Sequence, residues 1–363
     1  MLYLYLILLI CTCMIGFVLF ARIRLMEEGD TAQPDFKASV IIPARNEENN
    51  LPLLLESLQA QTREPYEIIV VDDFSTDKTH EIASGYGVKV IRNTELPENW
   101  TGKTWAVWNG FLEATGNILV FLDADVRLSP KALEVLLKTR AKNGGALSVV
   151  PYHKTYKFYE TFSLILYILG IFAFTSPFER NSTQKGLYGS CIVVTREDYE
   201  KINGHGSIKS ELLDDLNLGK KLSQAGVPIK NYIGYQYVSF RMYPYGIRSE
   251  LQGFGKGAVL STATLRPLTI LCISVWIIGL LASQFVTPVL FLLGSAYVLP
   301  YAIGYLIYTL QFAYFLRYSG NYGWIMPVLH PISSVFFIIV MIYSAYQVIF
   351  RGSVTWKGRQ VKV

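Results

Sequence analysis

The 363-residue sequence predicts an α/β domain built on a mostly parallel sheet, with transmembrane helices at both ends of the chain. Two observations carry this. Charge is spread unevenly: only 17% of residues are charged, yet residues 1–20 hold no charge and residues 268–350 hold Arg317 alone. The other 260 residues carry 60 charges, about 23%, close to the roughly 25% of an average soluble domain. From Phe36 onward, short Val- and Ile-rich runs alternate with amphipathic segments of helix length. Such a chain is not disordered, collagen-like or disulfide-stapled, and it is not a simple soluble enzyme.

Residues 1–20, MLYLYLILLICTCMIGFVLF, are long enough to cross about 30 Å as a helix, and Arg22 and Arg24 follow directly. A signal peptide would carry its charge before a shorter apolar core. Residues 1–22 are therefore expected to be an uncleaved anchor with its C-terminal end in the cytoplasm.

Residues 36–245 hold the soluble domain. The runs ASVIIP, YEIIVVDD, VKVIR, NILVFLDAD and ALSVV read as strands, and EENNLPLLLESLQA, GKTWAVWNGFLEAT and PKALEVLLKTRAK as the helices between them. Continuous apolar strands separated by amphipathic helices imply a parallel sheet covered on both faces, with functional loops at the C-terminal strand ends.

Residues 162–174, FSLILYILGIFAF, are apolar but short of the roughly 20 residues a span needs. A crossing here would put Asp125 and Asp215 on opposite sides of the membrane. The segment is expected in the interface, above the cleft, with a buried core helix as the alternative.

Residues 246–262 read as an interfacial helix. Residues 268–350 hold candidate spans at roughly 268–283, 288–314 and 326–350. Three spans would leave the basic tail outside, against the positive-inside rule. Either one stretch is a re-entrant hairpin or the tract breaks at Pro300 into a fourth short span. In the tail, 351–363, Arg351, Lys357, Arg359 and Lys362 supply +4 of the formal +5. Basic residues beside apolar spans read as cytoplasmic anchors drawn to membrane phospholipid, not as a nucleic-acid footprint. The expected location is the cell membrane, multi-pass, with the soluble domain on the cytoplasmic side. Four cysteines without a CxxC spacing support neither a disulfide framework nor a zinc site.

Candidate chemistry sits at the strand ends. Asp123-Ala124-Asp125 follows NILVFL, and two carboxylates so placed can share a hard divalent ion such as Mg²⁺ or Mn²⁺, and through it a nucleotide diphosphate. Asp72 and Asp73, after a second strand, are positioned to accept hydrogen bonds from a base or ribose, while Ser75 to Asp77 suit helix capping. Pro43, Ala44 and Glu47, after the first strand, can line the same nucleotide pocket or form a Pro-turn and helix start. Lys103 lies in the first turn of a helix, where its charge opposes the helix dipole but suits a phosphate or sugar. Asp214 and Asp215 open an amphipathic helix, either as first-turn acids or as a general base.

In order, PARNE, VVDDFSTD, GKTWA, DAD, Gly189-Ser190-Cys191, NGH and DDLNL resemble the family 2 inverting glycosyltransferases of the GT-A fold, from about Phe36 to Tyr245. The membrane layout, with WKGR near the end, is similar to that of the 4,4'-diaponeurosporenoate glycosyltransferases of carotenoid pigment synthesis and of hopanoid-associated relatives. The resemblance implies that Asp72 and Asp73 meet the base and ribose. It implies that Asp123 and Asp125 bind the diphosphate, with Asp125 on the metal, and that Lys103 lies near the phosphates and donor sugar. Asp215 matches the catalytic base, and Asp214 stands where the family has Glu. His205 matches a Gly-Gly-His turn with its first Gly changed, as a site residue or a turn histidine. His153 lies just before the apolar segment, within reach of donor or metal.

The processive polymer synthases of that family carry Gln-x-x-Arg-Trp after the base. Here the region reads Arg248-Ser249-Glu250-Leu251-Gln252-Gly253-Phe254-Gly255-Lys256, so one sugar is expected to move, not a polymer. Arg248 and Lys256 belong to an interfacial helix or face headgroups. The expected activity is transfer of a hexose, as from a UDP-sugar, to a lipid-like acceptor such as a carotenoid acid or another isoprenoid lipid. Its rivals are a polyprenyl-phosphate sugar transferase and a silent nucleotide-sugar-binding membrane subunit.

Overall fold

The structure, a computed structural model, describes residues 2–26, 36–256, 264–356 and 359–362. Strands run β1 (Ala38–Ala44), β2 (Glu67–Asp72), β3 (Lys89–Arg92), β4 (Ile118–Leu122), β5 (Val126–Leu128), β6 (Ala146–Val150), β7 (Tyr152–His153), β8 (Cys191–Thr195), β9 (Ile229–Ile233), β10 (Val238–Phe240), β11 (Ser353–Trp356) and β12 (Arg359–Lys362). Helices run α1 (Leu2–Leu19), α2 (Leu51–Gln59), α3 (Thr79–Gly85), α4 (Gly102–Glu113), α5 (Ala132–Asn143), α6 (Leu164–Thr175), α7 (Arg196–Lys201), α8 (Asp214–Gln224), α9 (Ile247–Gly255), α10 (Pro267–Leu292), α11 (Val298–Ser319) and α12 (His330–Tyr346).

The chain divides into two compact units. One comprises Ile23–His153 and Ser182–Arg241. Within the expected 36–245 domain, Lys154–Asn181, which contains the apolar segment 162–174 set apart in the sequence, groups with the long apolar helices.

The first unit is built on a seven-stranded sheet in the order β3-β2-β1-β4-β8-β6-β9. The pairs β3-β2, β2-β1, β1-β4 and β6-β9 are parallel, and β8 runs antiparallel to both of its neighbours. The apolar runs form strands because both faces of each are covered. Every residue of β4 and β6 is buried, and α4 packs Ala106, Val107 and Phe111 into a core with Ile41, Ile69, Val71 and Leu119. The chain runs from β1 outward through β2 to β3 and then crosses back to β4 on the other side of β1, and the crevice at such a switch point takes ligands. A small sheet, β5-β10-β7, continues directly from the DAD turn and puts Val126 and His153 on either side of Phe240.

The second unit comprises Met1–Arg22, Lys154–Asn181 and Met242–Val363. Among the described residues, five helical segments are long and apolar enough to cross a membrane: Leu2–Leu19, Phe158–Glu179, Pro267–Leu292, Val298–Ser319 and His330–Arg351. A buried polar chain ties three of them. Trp276 Nε1 donates to Gln311 Oε1 at 2.8 Å, Gln311 Nε2 to the Cys13 carbonyl at 2.7 Å, and the Tyr308 hydroxyl to the Trp276 carbonyl at 3.0 Å. Such bonds hold helices together where the surroundings offer no water.

Three expectations for this unit need correction. Residue 288 does not begin a span: Pro288 lies inside α10, and the break falls at 293–297, where Gly294 takes φ +61°. Pro300 is not a break either, since it sits in the first turn of α11, where a missing N–H is harmless. The segment around 162–174 is longer than its apolar letters suggest, because a 3₁₀ turn, Phe158–Ser163, leads into α6. Leu164, Ile165, Ile168, Ile171 and Phe172 of that helix are buried. The tail, in turn, pairs β11 with β12 as an antiparallel hairpin. Of the expected helix 246–262, α9 covers Ile247–Gly255, and the part from 257 lies outside the described residues.

Candidate active site

The site lies within the first unit, at the C-terminal ends of β1 and β4. Pro43, Lys103, Asp123, His205, Asp214 and Asp215 line one cleft. Six of the expected or considered residues thus come together, carried by five separate segments of chain.

Lys103 is held by the start of α4. Thr101 caps the helix, its Oγ1 accepting from the Thr104 amide at 3.3 Å. The Thr101 amide and the Thr104 hydroxyl both donate to the Lys209 carbonyl at 2.8 Å, which pins this turn to the loop before α8. From there Lys103 Nζ reaches Asp123 Oδ1 at 2.9 Å and Asp214 Oδ2 at 3.7 Å. Its side chain is 38% exposed, so the ammonium faces the cleft. Apolar walls pull its pKa down, but Asp123, Asp214 and Asp215 outweigh them and hold it above the usual lysine value.

Asp214 and Asp215 occupy the first turn of α8, as the sequence suggests. Their environments differ. Asp214 is buried and pairs with Lys103. Asp215 Oδ2 accepts from the Gly189 amide at 2.9 Å and Oδ1 from the Leu216 amide at 3.0 Å, so backbone donors from two elements fix its carboxylate. His205 lies under the cleft. Its Nδ1 and the Tyr199 hydroxyl share a 2.7 Å hydrogen bond, and its amide donates to the same hydroxyl at 3.0 Å. Burial pushes its pKa down to about 4 against the pull of Asp214, with Lys103 adding to the fall, so the ring is neutral at ordinary pH. His205 is both a turn histidine, locked by Tyr199, and part of the cleft lining.

The nucleotide-side residues form a second cluster. Asp72 is 1% exposed: Oδ1 accepts from the Ser75 amide at 2.9 Å, and Oδ2 lies 3.6 Å from His80 Nδ1 and 3.7 Å from Arg92 Nε. Asp73 Oδ2 lies 3.7 Å from Arg45 Nη1, and its amide donates to the Ala44 carbonyl. Loops after β1 and β2 are stitched together. Ser75 Oγ accepts from the Asn46 amide, Thr79 Oγ1 from the Glu47 amide, and Asp77 Oδ2 from the Glu48 amide. Asp77 accepts the Thr79 amide at 3.0 Å just ahead of α3, whose N-cap is Lys78 with no side-chain cap, and Ser75 serves the neighbouring loop, so neither is the cap expected of them.

Glu47 accepts from Asn50 Nδ2 at 2.8 Å, and Asn50 Oδ1 accepts from Arg127 Nη2 at 3.2 Å. Arg127 Nη1 donates to the Ala124 carbonyl at 3.2 Å and the Val126 carbonyl at 2.6 Å. A relay of three side chains therefore grips the DAD turn from the first loop. Sequence reading passed over Arg127 and Asn50; the one signal was an Arg two residues beyond Asp125.

Asp125 stands two residues beyond Asp123 in the DAD turn with its Oδ1 buried, and Ala124 between them is buried as well. His153 is fully buried in β7 with its ring 5.4 Å from Phe240. Arg248, in α9, and Lys256, directly after it, belong to the other unit. No group of three metal-ligating side chains occurs among the described residues. Two carboxylates separated by one alanine nonetheless suit Mg²⁺ or Mn²⁺, hard ions that take one or two carboxylates and complete their shell with water and phosphate oxygens.

Residues 39–202 match the family described as Glycosyl transferase family 2. The 4,4'-diaponeurosporenoate glycosyltransferase of Staphylococcus aureus (strain USA300) is 33% identical over 339 residues, covering 90% of this chain and 88% of that protein. The same enzyme from strain NCTC 8325 / PS 47 matches equally. Among solved structures, the mannosyltransferase PcManGT from Pyrobaculum calidifontis, in complex with GDP-Man and Mn²⁺, has a TM-score of 0.54 at 16% identity, covering 97% of this chain and 99% of that one. That likeness is one of fold.

Proposed function

The chain belongs to glycosyl transferase family 2, and on that premise we propose that it is a membrane-anchored, inverting, non-processive hexosyltransferase. It moves a single sugar from a nucleotide-diphosphate donor, a UDP-hexose, to a lipid-like acceptor such as a carotenoid acid or another isoprenoid lipid. One observation carries this reading: Lys103, Asp123, Asp214 and Asp215 converge on one cleft at the sheet's switch point. The acceptor class rests on the 4,4'-diaponeurosporenoate glycosyltransferase relative and on five apolar helices. The enzyme is placed in the cell membrane, its catalytic unit on the cytoplasmic side, with phospholipid around the apolar helices.

In this reading Asp72 and Asp73 take the base and ribose, with Pro43, Ala44 and Glu47 along the pocket. Asp125 and Asp123 would hold Mg²⁺ or Mn²⁺. Bound there, the ion would neutralise charge on the departing diphosphate. Lys103 faces the phosphates and donor sugar, and Ala124 keeps the turn tight. Asp215 takes the proton of an acceptor hydroxyl as its oxygen attacks the anomeric carbon and the bond to the diphosphate breaks. Asp214, paired with Lys103, holds that lysine in place. A carboxylate acceptor is already ionised at neutral pH and hardly needs the base.

Mass spectrometry of lipid extracts from cells with and without the gene tests the proposal. A lipid that gains a single hexose only when the gene is present is expected. A glycosylated polyprenyl phosphate in its place would favour that acceptor class, and no change in any lipid would favour a silent nucleotide-sugar-binding subunit.

A further inference from the structure

One cation sits on the carboxylate that the reading above gives to another. Lys103 Nζ lies 2.9 Å from Asp123 Oδ1, and its backbone cannot drift away, because Thr101 and Thr104 bind the start of α4 to the Lys209 carbonyl. The same ammonium also reaches Asp214 Oδ2 at 3.7 Å. From this we propose that Lys103 and the divalent ion compete for Asp123, so that the ion binds well only together with the donor's diphosphate. The inference rests on the metal role given to Asp123 and Asp125 above.

Two like charges cannot both sit in contact with one carboxylate oxygen without strong repulsion in a partly closed cleft. Asp214, 3.7 Å from the same ammonium, adds a second attraction that holds Lys103 in place. A nucleoside diphosphate changes the balance. Its oxygens give the ammonium a new partner and the divalent ion new ligands, so both cations are accommodated. Binding is then coupled: nucleotide tightens metal, and by linkage metal tightens nucleotide by the same factor. The cleft does not load a bare ion on Asp123, and the ion arrives with the substrate whose charge it serves.

The full chain in detergent is titrated with Mn²⁺, following free Mn²⁺ by electron paramagnetic resonance, without nucleotide and with UDP or GDP. Wild type is expected to bind Mn²⁺ weakly alone and at least about tenfold more tightly with nucleotide, within the usual range of coupling between sites. Lys103→Met is expected to bind Mn²⁺ alone about tenfold more tightly than wild type, so that nucleotide adds correspondingly less. Lys103→Gln should follow Lys103→Met, and Lys103→Arg, which keeps the charge, should follow wild type. If the Met variant does not fold, the Gln and Arg variants make the same comparison. Equal or weaker binding of Mn²⁺ alone by the neutral variants would overturn the competition while leaving the metal reading intact. No Mn²⁺ binding in any sample, even with nucleotide, would overturn the metal reading and this inference together.

Discussion

The amide of Gly189 donates a 2.9 Å hydrogen bond to Asp215 Oδ2, and a Cβ built on Gly189 would fall 2.9 Å from that same oxygen. The carboxylate proposed as the base is thus seated against a backbone that has no room for a side chain. Two amide donors aim it, one from the chain before β8 and one from its own helix.

Gly189→Ala tests that seat. The added methyl would also come within 3.1 Å of Asp215 Cβ, so the carboxylate must shift from its seat. Turnover is expected to fall about 100-fold, the scale of a misplaced catalytic group, with a much smaller change in donor affinity. Unchanged turnover would show that the placement of Asp215 is immaterial.

Asp215→Asn separates acceptor classes. With a hydroxyl acceptor, turnover should drop by roughly 10²–10⁴-fold, the usual contribution of a positioned base. With a carboxylate acceptor the loss should be far smaller. Purified enzyme assayed on both lipid types gives the comparison directly.

Arg127→Met should loosen the DAD turn, because it removes the bonds to the Ala124 and Val126 carbonyls and the link to Asn50. The half-saturating Mn²⁺ concentration and the donor KM are each expected to rise about tenfold, one to two hydrogen bonds' worth of positioning. Lys cannot reproduce the planar fork, so Arg127→Lys should rescue little. A lower melting temperature with metal dependence unchanged would reduce Arg127 to a structural role.

Glu250 supplies a pH signature in the other unit. Burial, with the Glu160 carboxylate adding to it and Ser163 opposing it, raises its pKa from an ordinary 4.5 to about 8. The folded chain then holds a proton that the unfolded chain releases, so the stabilisation is complete below about pH 4.5 and is lost as pH rises through 8. Melting temperature in detergent should fall between pH 5.5 and 9 for the wild type. Glu250→Gln should flatten that fall and be the more stable protein at pH 9. Parallel curves would exclude Glu250 as the source.

Much of the molecule is legible in the sequence because it is local. Strand and helix runs, the anchor, the DAD turn and the order of motifs follow from periodicity, apolar run length and residue chemistry over a few neighbours. Where a cue was weak the reading slipped: 288 looks like the start of a span and Pro300 like a break, yet α10 keeps Pro288 inside it and α11 takes Pro300 in its first turn. The apolar run 162–174 stands out in the sequence, but that the whole of Lys154–Asn181 leaves the first unit does not, because nothing in an apolar run says what it packs against.

The sequence by itself determined which groups are available: three pairs of acids, one lysine at a helix start and an α/β scaffold to present them. Only tertiary structure decided which meet. Register in the sheet and the crossover at β1 bring Lys103 to Asp123 and Asp214 and seat Asp215 on Gly189. The physical reason is range. Hydrophobic pattern and propensity act over a few residues, whereas an ion pair between distant segments exists only once the core has fixed both backbones.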